Sequence, residues 1–142
     1  MLNFGRTLAT KLQLPAVFEL IGDVGTGKTT FTRGLAEGLQ VSEPVTSPSF
    51  TISKRYAFVT AAHQPGELIH YDFYRLDDPG IMRDELAEAI AQLDTVIVVE
   101  WGSDVADLLP ASKYQLHFQL NADGTRTIIP NANATPLVGG NQ

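Results

Sequence analysis

The sequence predicts an α/β fold: a three-layer domain with a mixed, mostly parallel central sheet and added antiparallel hairpins. Three observations predict it. Gly22-Asp23-Val24-Gly25-Thr26-Gly27-Lys28-Thr29 meets every fixed position of the phosphate-loop pattern G-x-x-x-x-G-K-[ST]. The pattern stands between an apolar run, Ala16 to Ile21, and a stretch from Thr30 to Leu39 that puts Phe31, Leu35 and Leu39 on one helical face. Beyond it, apolar runs typical of strands alternate with a helical pattern and with hairpin turns. Strand, phosphate loop and helix in that order are the start of a P-loop NTPase-like domain.

The chemistry of the loop accounts for its residue types. A triphosphate is strongly anionic. Glycines let backbone N–H groups turn inward and approach phosphate oxygens with no Cβ in the way. The following helix points its positive end at the same anion. Asp23, Val24, Gly25, Thr26, Gly27, Lys28, Thr29 and Thr30 are therefore the candidate nucleotide contacts. Lys28 is placed to reach the β- and γ-phosphates, and the Thr29 hydroxyl to ligate Mg²⁺.

Composition narrows the class. A chain of 142 residues, 44% hydrophobic and 18% charged, fits one globular domain rather than a disordered chain. We expect that domain over residues 1–130 and a mobile, polar, Gly-rich tail over 131–142. The net charge of −6 argues against strong unaided binding to nucleic acid, but not against docking on a protein that holds it. The absence of cysteine excludes disulfides, thiolate metal sites and cysteine nucleophiles. No apolar run approaches the roughly 18 residues of a membrane span, so no membrane partner and a cytoplasmic location are expected.

Taken in order, residues 2–13 read as a short helix ended by Pro15, and Ala16–Ile21 as a buried strand. Gly34 and Gly38 fall within the next helix, where each is worth up to about 1 kcal/mol less than Ala. Val45 to Thr51 is a loop in which Pro44 and Pro48 prevent helix. Its hydroxyls, Thr46, Ser47 and Ser49, either form a switch segment that reaches Mg²⁺ or the γ-phosphate, or make an ordinary turn into a strand. Two strands follow, joined by a turn over Ala61 to Gly66 that contains the Pro65-Gly66 pair, the second running through His70-Tyr71 into Asp72. Asp72 suits either a metal or water contact at the sheet edge or a turn cap. His70 reads as a packed strand histidine.

Ile81 to Leu93 reads as an amphipathic helix with Leu86, Ile90 and Leu93 inward. Thr95-Val96-Ile97-Val98-Val99-Glu100 is the strongest strand pattern, and its terminal acid suits the Mg²⁺ side of a phosphate-loop site. Trp101 fits either a site-edge contact or the core. Asp104 to Leu109 reads as a short helix, and Tyr114 to Leu120 pairs with Thr125 to Ile129 through the Asn121–Gly124 turn.

Four separated stretches line up with one family. The phosphate loop, Val45-Thr46-Ser47-Pro48-Ser49-Phe50-Thr51, His70-Tyr71-Asp72-Phe73-Tyr74-Arg75-Leu76 and Val99-Glu100-Trp101 resemble the TsaE (YjeE) family over roughly residues 4 to 110. Ser49 stands where that family usually has Thr, so the hydroxyl is kept. The resemblance implies a slow ATPase that needs ATP and Mg²⁺. It also implies a part in tRNA threonylcarbamoyladenosine (t6A) modification, at the adenosine beside the anticodon, acting with a TsaD–TsaB complex that meets the tRNA. It assigns phosphate contact to Lys28 and Mg²⁺ ligation to Thr29 and Glu100, and makes Asp72 a site carboxylate, with the choice of Asp72 or Glu100 to activate water left open. Trp101 would lie beside the site or at the partner surface, with Thr46, Ser47 and Ser49 in the switch-like loop. Lys28, Asp72 and Glu100 are thus the candidate catalytic residues. Arg33 and Arg75 are candidates for an activating arginine, as is a charge from the partner. Two rival readings are a small-molecule kinase and a nucleotide-dependent interaction protein without significant hydrolysis.

Overall fold

A computed structural model of the chain describes residues 1–46, 53–74 and 80–138. In chain order its elements are α1 (Leu2–Ala9), β1 (Ala16–Ile21), α2 (Lys28–Gly38), β2 (Ser53–Val59) and β3 (Pro65–Asp72). They continue with α3 (Ile81–Ile90), β4 (Thr95–Glu100), a 3₁₀ helix (Ser103–Leu108), β5 (Tyr114–Leu120), β6 (Arg126–Pro130) and α4 (Thr135–Val138).

Among the described residues, six strands form one sheet in the order β2-β3-β4-β1-β5-β6. The inner pairs, β3–β4, β4–β1 and β1–β5, are parallel. The outer pairs, β2–β3 and β5–β6, are antiparallel. The expected mixed, mostly parallel sheet with hairpins is what forms.

Alternation along β1 divides the core. Ala16, Phe18 and Leu20 point to one face and pack with Leu8, Phe31 and Leu35 of α1 and α2. Val17 points to the other and packs with Ile69, Ile97, Val99 and Leu86 of α3. All six residues of β4 are buried because both faces are covered. Each buried Val or Ile there contributes about 1.5–3 kcal/mol.

The two helices on the first face meet almost backbone to backbone. A Cβ added at Gly34 would stand 2.2 Å from the Leu2 carbonyl oxygen, and one at Gly5 2.4 Å from that of Phe31. Gly38 likewise faces the backbone of Arg6. This close approach explains the glycines inside a helical pattern. It also sets Met1 beside the phosphate loop, 3.1 Å from where a Cβ on Gly27 would be.

Several boundaries differ from the sequence expectation. Helix α1 stops at Ala9 rather than running to residue 13, and Thr10 closes it by donating its hydroxyl to the Thr7 carbonyl. Pro15 leads into β1 instead. Helix α2 starts at Lys28, two residues early, because Gly27 already serves as its N-cap at φ 107°. The β2–β3 turn is Ala61 to Gln64, closed by the Thr60 N–H to the Gln64 carbonyl, and Pro65-Gly66 belong to β3. Helix α3 ends at Ile90, leaving Leu93 73% exposed in the turn before β4. The Glu67 N–H bonds the Asp94 carbonyl and fixes that turn to the start of β3. The tail reading is corrected over residues 131–138. Asn131 caps a turn into α4, Ala134 is fully buried, and Leu137 and Val138 pack on the core. Among the described residues, no helix is long and apolar enough to cross a membrane.

Candidate functional site

The topology gathers the candidate residues at one edge of the sheet. Parallel pairing of β1 with β4 sets Leu20 opposite Glu100, so the phosphate loop leaves β1 beside the acid that ends β4. The β3–β4 register sets Asp72 opposite Glu100. All three strands end at the same edge, where ligands of open α/β sheets bind.

The loop itself is a tight turn. Gly25 and Gly27 have φ of 85° and 107°, a region costly for residues with a Cβ. The Thr26 hydroxyl donates to the Asp23 carbonyl at 2.7 Å and braces the turn. Helix α2 begins immediately after, with its N-terminus at the loop.

Lys28 is almost fully buried. Its Nζ donates to the Gly22 carbonyl, lies 3.8 Å from Glu100 Oε1, and sits 4.0 Å from the centre of the Trp101 ring. Burial pulls its pKa down, against the carboxylates of Glu100, Asp72 and Asp23, which push it up. The ammonium is thus held beside several negative groups in a partly dry site.

Asp72 caps a turn and lies on the cavity wall. Its Oδ1 accepts the Tyr74 N–H at 3.0 Å. Burial raises its pKa, with Glu100 adding to the rise, while the Tyr74 N–H and Lys28 oppose it. Glu100 is buried, and its Oε2 lies 2.5 Å from Nε2 of His70. His70 is therefore a packed strand histidine, as its setting implied, but one that touches a candidate site residue.

Lys28, Thr29, Thr30, Asp72, Glu100 and Trp101 line one cavity of about 530 Å³, together with Val24, Gly25 and Gly27. Trp101 lines the cavity and, half-buried, also packs against the core, with its ring 4.7 Å from that of Tyr74. Thr46 is not brought there. Its hydroxyl accepts from Lys54 at 2.9 Å, and its backbone bonds the Tyr56 hydroxyl. Ser47 and Ser49, and Arg75, lie outside the described residues. Arg33 is exposed and does not line the cavity.

Arg126 does, and sequence reasoning missed it. Its guanidinium donates to the Gly25 carbonyl at 3.3 Å. The antiparallel β5–β6 hairpin returns the start of β6 to the edge where β1 ends. The hairpin was legible, but its place beside the loop rests on the β1–β5 pairing, which no local signal announces.

The donor set fits Mg²⁺. Among the described residues no three histidine or acidic side chains converge on one point. Mg²⁺ is ordinarily held by a hydroxyl and one or two carboxylates together with phosphate oxygens and water. Thr29, Glu100 and Asp72 supply that kind of set.

The family model "Threonylcarbamoyl adenosine biosynthesis protein TsaE" matches residues 1–128. The chain belongs to the TsaE family. Among curated relatives, a Streptomyces coelicolor TsaE is 34% identical over 137 residues, covering 96% of this chain and 90% of the relative. A Nostoc TsaE is 37% identical, covering 96% of this chain and 80% of its own length. Both are named tRNA threonylcarbamoyladenosine biosynthesis proteins. The crystal structure of Bacillus subtilis YdiB superposes with a TM-score of 0.66 at 32% identity, covering 89% of this chain and 74% of that one. The TsaE match runs to residue 128 and so includes β5 and Arg126, beyond the four motif stretches.

Proposed function

We propose that the chain binds ATP with Mg²⁺, hydrolyses it slowly, and serves t6A modification of tRNA by acting with a TsaD–TsaB-type complex. The observation that carries this reading is the convergence of Lys28, Glu100 and Asp72 on one cavity at the N-terminus of α2. The names of the relatives support the pathway. The net charge of −6 supports contact with tRNA through the complex rather than directly.

In this reading the N–H groups of the loop and the start of α2 hold the phosphates. Lys28 exchanges the Gly22 carbonyl for phosphate oxygens. Thr29 and Glu100 hold Mg²⁺, which when bound neutralises charge on the β- and γ-phosphates. Burial makes Asp72 a better proton acceptor than an exposed aspartate, which suits it to polarise an attacking water. Arg126 adds a second cation at the cavity mouth, and any further activating charge comes from the partner.

The test is phosphate release from ATP with Mg²⁺, by the chain alone and with TsaD and TsaB from the same organism. A slow basal rate that rises with the pair and is lost in Lys28→Ala supports the proposal. A rate indifferent to the pair removes the partnership. Transfer of labelled phosphate to a metabolite would replace the proposal with the kinase reading.

A further inference from the structure

His70 is fully buried on β3, on the same face as Glu100 of β4 and two pairs back in register, opposite Val98. Leu68 and Val98 of the core lie on that face behind it. Its Nε2 meets Glu100 Oε2, while Glu100 Oε1 faces Lys28. The other ring nitrogen, Nδ1, is buried with no hydrogen-bond partner among the described residues.

These contacts favour one tautomer of the ring. With Nδ1 protonated, a buried N–H would lack an acceptor and two lone pairs would face each other across the short contact to Glu100. With Nε2 protonated, the ring donates to the carboxylate and only a weak acceptor is left unpaired. A carboxylate held at one oxygen by a walled-in ring cannot swing. Its second oxygen is then presented to the cavity in one orientation.

We propose that His70 is a positioning residue for Glu100. It donates Nε2–H to Oε2 and leaves Oε1 as the oxygen offered toward the phosphate loop. His70 itself touches neither nucleotide nor ion. The inference rests on the reading of Glu100 as a Mg²⁺ ligand. Partners of this kind tune a ligand without joining it, and their loss typically lowers metal affinity or activity about 10–100-fold.

The test combines the wild-type chain with two variants. Long-range ¹H–¹⁵N NMR of the wild type should show the Nε2-protonated tautomer of His70; the Nδ1-protonated form would overturn the proposal. His70→Leu should bind ATP in EDTA as the wild type does, yet need about 10–100-fold more Mg²⁺ for half-maximal phosphate release, with kcat reduced. His70→Gln, whose amide N–H reaches the same position, should restore most of the loss. Unchanged Mg²⁺ dependence in His70→Leu, or equal impairment of both variants, would reduce His70 to packing. If His70→Leu does not fold, the tautomer and a wild-type-like Mg²⁺ dependence in His70→Gln decide for the proposal, and the failure of either decides against it. A wild type whose ATP binding ignores Mg²⁺ would remove the Mg²⁺ reading of Glu100, and this inference with it. A Mg²⁺-dependent wild type with a normal His70→Leu removes the positioning role alone.

Discussion

Trp101 follows Glu100 with φ of 57°, left-handed backbone that a bulky residue seldom adopts. The turn takes the chain off the end of β4 and brings the indole ring over Lys28 and against Tyr74. Left-handed backbone costs a residue with a Cβ about 1–2 kcal/mol, and glycine almost nothing. Two truncations separate ring from backbone. Both Trp101→Ala and Trp101→Gly lose the contact with Lys28. Trp101→Gly should nevertheless be the more stable in urea unfolding, by about 1 kcal/mol. The opposite order, which ordinary backbone entropy gives elsewhere, would show that the strain is absent. Residues of this kind were legible only in part. The tryptophan next to a strand-end acid drew notice in the sequence, but its conformation did not. His70 read as packing because a contact between neighbouring strands depends on register, and register is invisible before the sheet order is known.

At the scale of elements, strong local patterns gave the right boundaries. Strand β4 and strand β5 match their expected limits, since an unbroken β-branched run and a clean alternation leave little choice. Helix ends were less legible. Leu93 fits the spacing of α3 but lies past its end, because periodicity does not mark where the chain must turn toward the next strand. The α1–α2 contact was hidden too, although its glycines were visible. Gly34 suits the helix poorly on propensity and well on packing, so the two effects can be set against each other. Gly34→Ala gains up to about 1 kcal/mol of helix propensity. It also drives a methyl group into the Leu2 carbonyl, and overpacking of this kind costs about 1–3 kcal/mol. We expect net destabilisation, read as a lower urea midpoint with an unchanged slope. A more stable Gly34→Ala would mean that the helices are not in such close contact.

The whole molecule is organised by sheet order. Local signals supplied six strands and a phosphate loop, but not that β4 and β5 would flank β1. That order brings Glu100 to the loop, and through β5 it also brings the start of β6 and Arg126. The chain segment after β6 completes the fold by burying Ala134, where composition had pointed to a loose tail. Composition is a poor guide over 131–138 because a few apolar side chains, Ala134, Leu137 and Val138, and the bonds of Asn131 and Asn133 anchor a mostly polar stretch. The candidate site is thus a product of the complete sheet, and its central claim is that the cavity over Lys28 receives Mg²⁺–ATP. Titration calorimetry with ATP, in Mg²⁺ and in EDTA, tests that claim most directly when Lys28→Ala is run beside the wild type. We predict one ATP per chain, bound more tightly with Mg²⁺. Lys28→Ala should weaken it about 10–100-fold, the loss of one charge-assisted contact. A folded Lys28→Ala that binds Mg²⁺–ATP as the wild type does would contradict the account.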